Sequence, residues 1–244
     1  VEQALLKYMI RMGSRPTPFG LFSGIHTGNI TLLTKLQSNS LDNDNRKTRL
    51  DMFYLTAIKE HLLKTNIRSD NLKYYPNPSH YFVAEQCRYI EAYQSKKTRQ
   101  YRLSAIEIDE YFTFLLKQAK NGLSFNSLVK SFSDQYTEAE LGEVEGYIQQ
   151  LIDESILIAY IPLPLTGKSP DKALINSLYQ IGEETTADHL NTVLHQLEKL
   201  DQQKIAEISQ YKSILEHLNQ LTVKAEESKL FQADIYRSFN LCEL

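Results

Sequence analysis

The sequence is poor in cysteine, and this scarcity excludes two classes of protein. Only Cys87 and Cys242 occur among its 244 residues, and their spacing matches neither a zinc motif nor a disulfide framework. We therefore expect reduced thiols in a cytoplasmic protein, with no metal and no bound cofactor.

Long apolar runs and an excess of positive charge are also missing. The longest apolar run, residues 156–165, is about half as long as a membrane span and contains two prolines, so no transmembrane helix is predicted. The net charge of −3 argues against nucleic-acid binding over the whole surface, although it permits a local basic patch. The chain begins inside a helical pattern and stops just after an apparent strand, so we expect it to be part of a larger polypeptide.

The most informative segment is residues 8–24, YMIRMGSRPTPFGLFSG. Apolar residues at helical spacing in residues 1–12 predict an amphipathic helix that leads into it. Pro16 and Pro18 then fix the backbone, so the chain changes there from helix to a rigid turn.

Two arginines, Arg11 and Arg15, lie at this change from helix to turn, and Lys7 adds a third positive charge. One interpretation is an anion site, because guanidinium groups on a stiff turn bind phosphate or carboxylate at little entropic cost, and Thr17 offers a hydroxyl. The other is a helix C-terminus complemented by arginines and stopped by prolines. The residues alone leave both open.

The middle of the chain predicts a winged helix-turn-helix. An exposed polar loop (36–47) and a helix capped by Asp51 precede it. Its predicted strands are a hairpin around 85–87, a third strand at 100–103 and a last strand at 156–161. Three helices are predicted between the third and the last strand. The first is opened by a Ser104/Glu107 capping box and ended by Gly122, the second covers 124–132, and the third covers 139–153 and is opened by a Thr137/Glu140 capping box.

DNA binding through this element is disfavoured, because its third helix, counted with its ends as residues 137–155, contains six acidic residues and no lysine or arginine. A groove between strand and helix could instead take an extended peptide by strand addition. The residues expected to line it are Tyr101, Leu103, Tyr147 and Leu151. A purely structural subdomain is the alternative.

The last third is predicted to be helical over 170–223 and then to form a strand, LFQADIY, at 230–236. Asp234 lies among apolar residues of that strand. A buried, unpaired carboxylate is costly, so Asp234 is a candidate site residue or the partner of an arginine. The histidines 189, 195 and 217 are interpreted as packing or surface residues.

The run from Tyr8 to Gly24 resembles the signature of the N-terminal glutamylation domain of class I lanthipeptide dehydratases, and the order of the later elements agrees over essentially the whole chain. The resemblance implies an α+β fold of mixed sheets and helices with an embedded winged helix-turn-helix. It implies a glutamylation domain that begins in residues 1–78, a leader-peptide recognition element in 79–161, and a return to the glutamylation domain in 162–244.

Members of that family use glutamyl-tRNA to esterify Ser or Thr hydroxyls of a ribosomal precursor peptide, and a separate C-terminal domain then eliminates glutamate. The resemblance implies that Arg11, Arg15, Thr17 and Asp234 act in glutamylation, and that Arg11, Arg15 and Lys7 bind tRNA. The implied partners are the precursor peptide, glutamyl-tRNA and an elimination domain in the same or a partner chain, with a cyclase or a homodimer also considered. His26 and Asp234 are weak candidates for a general base.

Two other functions remain open from the sequence. A related ligase would use aminoacyl-tRNA to extend a peptide by an amide bond. A catalytically silent module would bind a leader peptide and present it to partner enzymes.

Overall fold

A computed structural model describes residues 2–14, 24–25, 28–32, 34–38, 45–95, 98–203, 206–224, 226, 230–236 and 239–243. The chain divides into two compact units. Unit 1 consists of Val1–Ile58, Leu163–Asn176 and Glu184–Leu244, and unit 2 of Lys59–Pro162 and Ser177–Glu183.

The α-helices of the described residues are, in chain order, α1 (Glu2–Ser14), α2 (Met52–Thr65), α3 (Glu110–Gln118), α4 (Phe125–Gln135), α5 (Leu141–Asp153), α6 (Pro170–Ile181), α7 (Glu184–Asp201) and α8 (Ile208–Leu218). A 3-10 turn, Ala119–Asn121, extends α3. None of the described helices combines the length and hydropathy that a bilayer span requires.

The described strands are β1 (Gly24–Ile25), β2 (Lys35–Ser38), β3 (Asn45–Leu50), β4 (Tyr74–Pro76), β5 (Tyr81–Val83), β6 (Gln86–Ser95), β7 (Thr98–Glu107), β8 (Leu157–Ala159), β9 (Phe231–Tyr236) and β10 (Phe239–Glu243).

Unit 1 contains a three-stranded sheet with β9 at its centre. β3 pairs with β9 antiparallel and β1 pairs with it parallel, while β2 and β10 form a separate antiparallel pair. Helix α7 packs against β3 and against α8. Apolar residues at helical spacing form the buried faces of these two helices: Leu190, Val193, Leu194, Leu197, Leu200, Ile214 and Leu218.

Unit 2 combines antiparallel strands with a helical core. β6 lies between β5 and β7 in a three-stranded sheet, and β4 pairs with β8. Helix α4 packs against α3 and α5. The core of this unit is built from large side chains with almost no exposed surface: Phe112, Leu115, Phe125, Leu128, Ile148 and Leu151.

Most predicted elements are confirmed. Helix α1, the hairpin, the three helices after it, the helical region from Pro170 and strand β9 all occur in the predicted order. Asp51 caps α2 by accepting from the Phe53 N–H, and Gly122 ends the α3 turn with φ of 81°. The α+β class is therefore confirmed, whereas the assignment to a winged helix and the functional division at residues 78 and 161 stay predictions.

Both predicted capping boxes are wrong. Ser104 and Glu107 lie in β7, where the Ser104 hydroxyl donates to the Glu91 carboxylate on the neighbouring strand. Helix α3 is capped instead by Asp109, whose Oδ1 accepts from the Phe112 N–H at 2.6 Å. Helix α5 begins at Leu141, and Glu140 makes no side-chain cap bond.

The predicted polar loop at residues 36–47 is also corrected, since β2 occupies its start and β3 its end. The polar residues of β3 form a strand because each inward-facing one has a partner on α7. Asp201 accepts from Arg46 Nε at 3.0 Å and from Thr48 Oγ1 at 2.7 Å, and it also accepts from the Thr48 backbone N–H. The Leu200 carbonyl accepts a further bond from the Arg46 guanidinium.

Candidate functional site

The predicted anion motif is described only in part. Lys7 and Arg11 lie on α1, and Lys7 is exposed. Arg15, Thr17 and His26 lie outside the described residues, as does the side chain of Arg11. The structure therefore places the helix that leads into the motif, and the role of the motif stays a prediction.

Asp234 lies in the middle of β9, the central strand of the unit 1 sheet. Its side chain is only 8% exposed, and Oδ2 lies 3.1 Å from Arg49 Nη2 on β3. Gln232 Nε2 adds a weaker contact to Oδ2 at 3.4 Å. The sequence left two readings of this carboxylate open, and the structure identifies an arginine partner for it.

The register of β3 and β9 brings two basic side chains to the same side of the sheet as this carboxylate. Lys47 is directly opposite Asp234, and Arg49 is directly opposite Gln232. Because directly opposite residues of an antiparallel pair share a face, Lys47, Arg49 and Asp234 form one polar row. Arg46 and Thr48 alternate to the other face and bond to α7.

A cleft of about 340 Å³ opens beside this row, and we call it the cationic cleft. Its walls are β3, the segment before α6 with the first turn of α6, and α7. Four basic residues line it: Lys47, Arg49, Lys168 and Lys172.

The acidic residues of the cationic cleft are engaged by other groups. Glu198 pairs with Lys172 at 3.3 Å, and Asp201 bonds to β3. Asp171 accepts from the Ser169 hydroxyl and from the backbone N–H of Lys172. Among the described residues, Lys47 and Lys168 have no ion-pair partner. The cleft can therefore offer an anionic ligand two ammonium groups that form no ion pair with the described residues, beside the hydrogen-bonded carboxylate of Asp171.

Sequence reasoning missed all four basic residues of the cationic cleft, because they come from segments about 120 residues apart. Two local signals were available. Residues 45–50, NRKTRL, place Lys47 and Arg49 two positions apart, as on one face of a strand, and residues 166–172, TGKSPDK, place two lysines around a turn and a helix start.

The residues predicted to line a peptide groove differ in exposure. Tyr101 and Leu103 lie on β7 with 65% and 57% of their surface exposed, and β7 pairs only with β6 among the described strands. A free strand edge with two exposed apolar side chains is therefore present. Tyr147 on α5 is half-buried, and burial raises its pKa to about 12.

Leu151 corrects the prediction, because it is fully buried and cannot line an open groove. It follows Val144 and Ile148 on the inward face of α5, at the i, i+4, i+7 spacing that fixes a core position. Tyr101, Leu103 and Tyr147 remain as candidate contacts for a peptide.

Comparisons with known proteins identify a family from the sequence and similar folds from the structure. The profile of the family described as "Lantibiotic dehydratase, N terminus" matches residues 1–244. The epidermin biosynthesis protein EpiB of Staphylococcus epidermidis is 22% identical over 73% of the chain, and the subtilin biosynthesis protein SpaB of Bacillus subtilis is 25% identical over 72%. The chain spans only 18% and 16% of the length of these two relatives.

Two solved structures resemble the fold over 99% of the chain. The tRNA-dependent lantibiotic dehydratase MibB of Microbispora sp. 107891 matches with a TM-score of 0.73 at 17% identity, over 24% of that chain. The glutamylation domain TbtB from thiomuracin biosynthesis, bound to 5'-phosphodesmethylglutamycin, matches with a TM-score of 0.62 at 13% identity, over 29% of that chain.

Proposed function

The chain belongs to the lantibiotic dehydratase N-terminal family, and on that premise we propose that it forms part of an enzyme that glutamylates Ser or Thr side chains of a ribosomal precursor peptide. The glutamyl donor in this proposal is glutamyl-tRNA. The description of MibB as tRNA-dependent and of TbtB as a glutamylation domain supports the choice of reaction.

The observation that carries the proposal is the cationic cleft beside the Arg49–Asp234 pair. The 3′ end of a charged tRNA brings phosphates, and its glutamyl group brings a side-chain carboxylate. Lys47 and Lys168, which lack ion-pair partners among the described residues, suit such anions. A local cationic cleft also fits tRNA binding by a chain whose net charge is −3, since only the contact surface has to be basic.

The proposed reaction is an acyl transfer. A Ser or Thr hydroxyl oxygen forms a bond to the glutamyl carbonyl carbon, the ester bond to the terminal ribose oxygen breaks, and the proton moves from the hydroxyl to that ribose oxygen. Because the ester is already activated, positioning and stabilisation of the developing oxyanion supply much of the rate. In this proposal Arg11, Arg15 and Thr17 act at the reacting ester.

Asp234 has a positioning role in this proposal. Its carboxylate is already engaged by the guanidinium group of Arg49, 3.1 Å away. The pair fixes the guanidinium of Arg49 at the border of the cationic cleft, where it can contact the donor.

Precursor recognition is proposed for unit 2. An extended leader segment would add to the free edge of β7 through backbone hydrogen bonds and contact Tyr101 and Leu103, and Tyr147 on α5 is the third candidate contact. Elimination of glutamate would require a domain outside this chain, in the same or a partner polypeptide, with a cyclase acting afterwards.

The test uses the full-length protein, its precursor peptide and glutamyl-tRNA, with mass spectrometry of the peptide. We expect the added mass of glutamate, or a loss of water where elimination follows. The Lys47→Ala/Lys168→Ala double variant should raise the KM for glutamyl-tRNA by about tenfold and flatten its salt dependence, because two phosphate contacts are lost. Lys212→Ala, an exposed lysine on α8, is the matched control.

Three outcomes contradict the proposal. A stable amide-linked extension of the peptide would identify an aminoacyl-tRNA ligase. Peptide binding without any tRNA-dependent gain or loss of mass would identify a silent presentation module. An unchanged KM in the double lysine variant would remove the cationic cleft from the tRNA site. Arg11→Ala tests the motif separately, since it should abolish glutamylation while the precursor still binds.

A further inference from the structure

A second cavity lies in unit 2, apart from the exposed face of β7, and we call it the aromatic cavity. Its volume is about 580 Å³, and it is bounded by the start of α3, the end of α4, the loop at residues 137–139 and the start of α5. All of these segments belong to unit 2. The cavity is therefore formed within one compact body.

Tyrosine and phenylalanine rings build one wall of the aromatic cavity. The rings of Tyr111 and Tyr136 meet edge to face with 4.7 Å between centroids, and Tyr136 lies 4.8 Å from Phe132. Tyr111 and Phe132 are 5.6 Å apart, so the three rings brace one another. A wall held in this way is preformed and needs little ordering when a ligand enters.

The charged residues of the lining are all acidic. They are Asp109, Glu138 and Glu143, and none of the described lysines or arginines lines the cavity. Carboxylates also contribute to the raised pKa values of two tyrosines in the lining. Burial first, and then the carboxylates of Glu110 and Asp109, raise the pKa of Tyr136, and burial with Asp109 and Glu154 raises that of Tyr147 to about 12. The aromatic cavity therefore combines negative ring faces with negative side chains.

This combination selects a cation on an apolar stem. A ring face attracts an ammonium or guanidinium group, and the carboxylates add to that attraction. The methylene stem of lysine or arginine packs against the rings while the charged end reaches the acids. Phosphates, nucleic acids and acidic peptide segments are repelled by the same charges.

We propose that the aromatic cavity binds a lysine or arginine side chain of the precursor peptide, at a position separate from the strand-pairing segment. The identification of the peptide as the precursor rests on the proposed function. Tyr147 lines the aromatic cavity and is also one of the residues that the sequence predicted to contact the paired segment. Asp109 is the second residue after β7 ends, so a peptide that follows the β7 edge arrives at the cavity.

The test measures binding of N-acetyl-lysine methylamide to the full-length protein by ligand-observed NMR. N-acetyl-norleucine methylamide has a stem of similar length without the charge and serves as the comparison probe. We expect the lysine probe to bind about tenfold more tightly than the norleucine probe. In the Glu138→Gln/Glu143→Gln variant this preference should fall to less than about twofold, since two carboxylates of the cavity are neutralised.

Glu85→Gln is the matched control, because Glu85 is an exposed carboxylate in the β5–β6 turn of the same unit and does not line the cavity. It should leave the lysine preference unchanged. Equal binding of the two probes, no binding of either, or an unchanged preference in the double glutamate variant would each overturn the proposal. The probes contain no Ser or Thr hydroxyl, and their binding needs no tRNA. The binding test therefore gives a result even if the protein does not glutamylate a peptide.

Discussion

Arg49 on β3 and Asp234 on β9 form an ion pair across two neighbouring strands, with 3.1 Å between Nη2 and Oδ2. The carboxylate is 8% exposed and the guanidinium 37% exposed, so the pair joins a buried acid to a base that reaches the surface. Because Arg49 is opposite Gln232 in the register, the contact is diagonal. One pair thus ties the central strand of the sheet to the border of the cationic cleft.

Breaking this pair should destabilise the unit 1 sheet. Arg49→Gln leaves the Asp234 carboxylate buried without its partner, and we expect a loss of about 1–3 kcal/mol, less than for a fully buried pair because Arg49 is partly solvated. The measurement is the opening free energy of β3 and β9 amides from hydrogen exchange in the full-length protein.

A double-mutant cycle isolates the contact itself. Asp234→Asn combined with Arg49→Gln should cost less than the sum of the two single changes, because the double variant leaves no unpaired charge. If the two free-energy changes are strictly additive, the contact between the two side chains does not stabilise the sheet.

Gly122 is expected to tolerate no side chain. Its φ of 81° is in the left-handed region, and an added Cβ would lie 2.4 Å from the ring of Tyr75. Gly122→Ala should therefore destabilise unit 2 by more than about 1 kcal/mol, from backbone strain together with the clash.

Gly146 provides the matched comparison, because it lies inside α5 and an added Cβ there has no neighbour within 4 Å. Gly146→Ala should stabilise the same unit by about 0.5–1 kcal/mol through helix propensity. Opposite signs for the two substitutions, read from hydrogen exchange in α3 and α5, are the expected result, and equal effects would contradict it.

Asn77 links three backbone segments of unit 2. It is buried, its Nδ2 donates to the Ile90 carbonyl at 2.9 Å and the Ser155 carbonyl at 2.8 Å, and its Oδ1 accepts from the Ser79 N–H at 3.0 Å. Asn77→Ala removes these bonds and leaves two carbonyl groups without that donor. We expect a loss of about 2–4 kcal/mol.

Asn66→Ala is the control for this prediction, since the Asn66 amide makes one exposed bond, to Thr65 Oγ1 at 3.2 Å. It should change stability by less than about 0.5 kcal/mol. Limited proteolysis of unit 2 in urea separates the two variants, and a similar urea midpoint for both would refute the linking role of Asn77.

Periodicity predicted the helices and strands whose partners are close in sequence or whose apolar face is continuous. Helices α7 and α8 and strand β9 follow directly from spacing, and Asp234 stood out because a carboxylate interrupts an apolar strand. Local capping rules failed at Ser104, because its hydroxyl bonds across the hairpin to Glu91 and the segment continues as a strand.

The cationic cleft could not be predicted from the sequence in the same way. β3 is polar except at Leu50, and its partners are distant in the sequence: it pairs with β9, and Asp201, more than 150 residues away, bonds to Arg46 and Thr48. No local pattern contains that partner. Tertiary contacts therefore bring together the lysines that line the cationic cleft. Their proximity can be recognised only from a structure in which β3 and α7 are packed together.

A pH-dependent contribution to stability is expected from Glu91 on β6. Both carboxylate oxygens accept from Arg102 at 2.8 Å, and one also accepts from Ser104 Oγ at 2.6 Å. The hydrogen bonds from Arg102 lower the pKa of Glu91 below its usual value of 4.5, although partial burial opposes the shift. A lowered pKa in the folded state stabilises the hairpin above pH 4.5, and this stabilisation is lost as the pH falls through the lowered value.

Glu91→Gln should therefore weaken the β6–β7 hairpin near neutral pH and have a diminishing effect as the pH is lowered from about 5 towards about 3. The effect should be small, because the Arg102 side chain is 61% exposed and its charge is screened by solvent. Hydrogen exchange of β6 and β7 amides, corrected for the intrinsic rate at each pH, measures the difference between the wild type and the variant. Glu85→Gln in the turn of the neighbouring β5–β6 hairpin is the control. A difference that stays constant between pH 3 and pH 7 would mean that the ionised form of Glu91 is not what stabilises the hairpin.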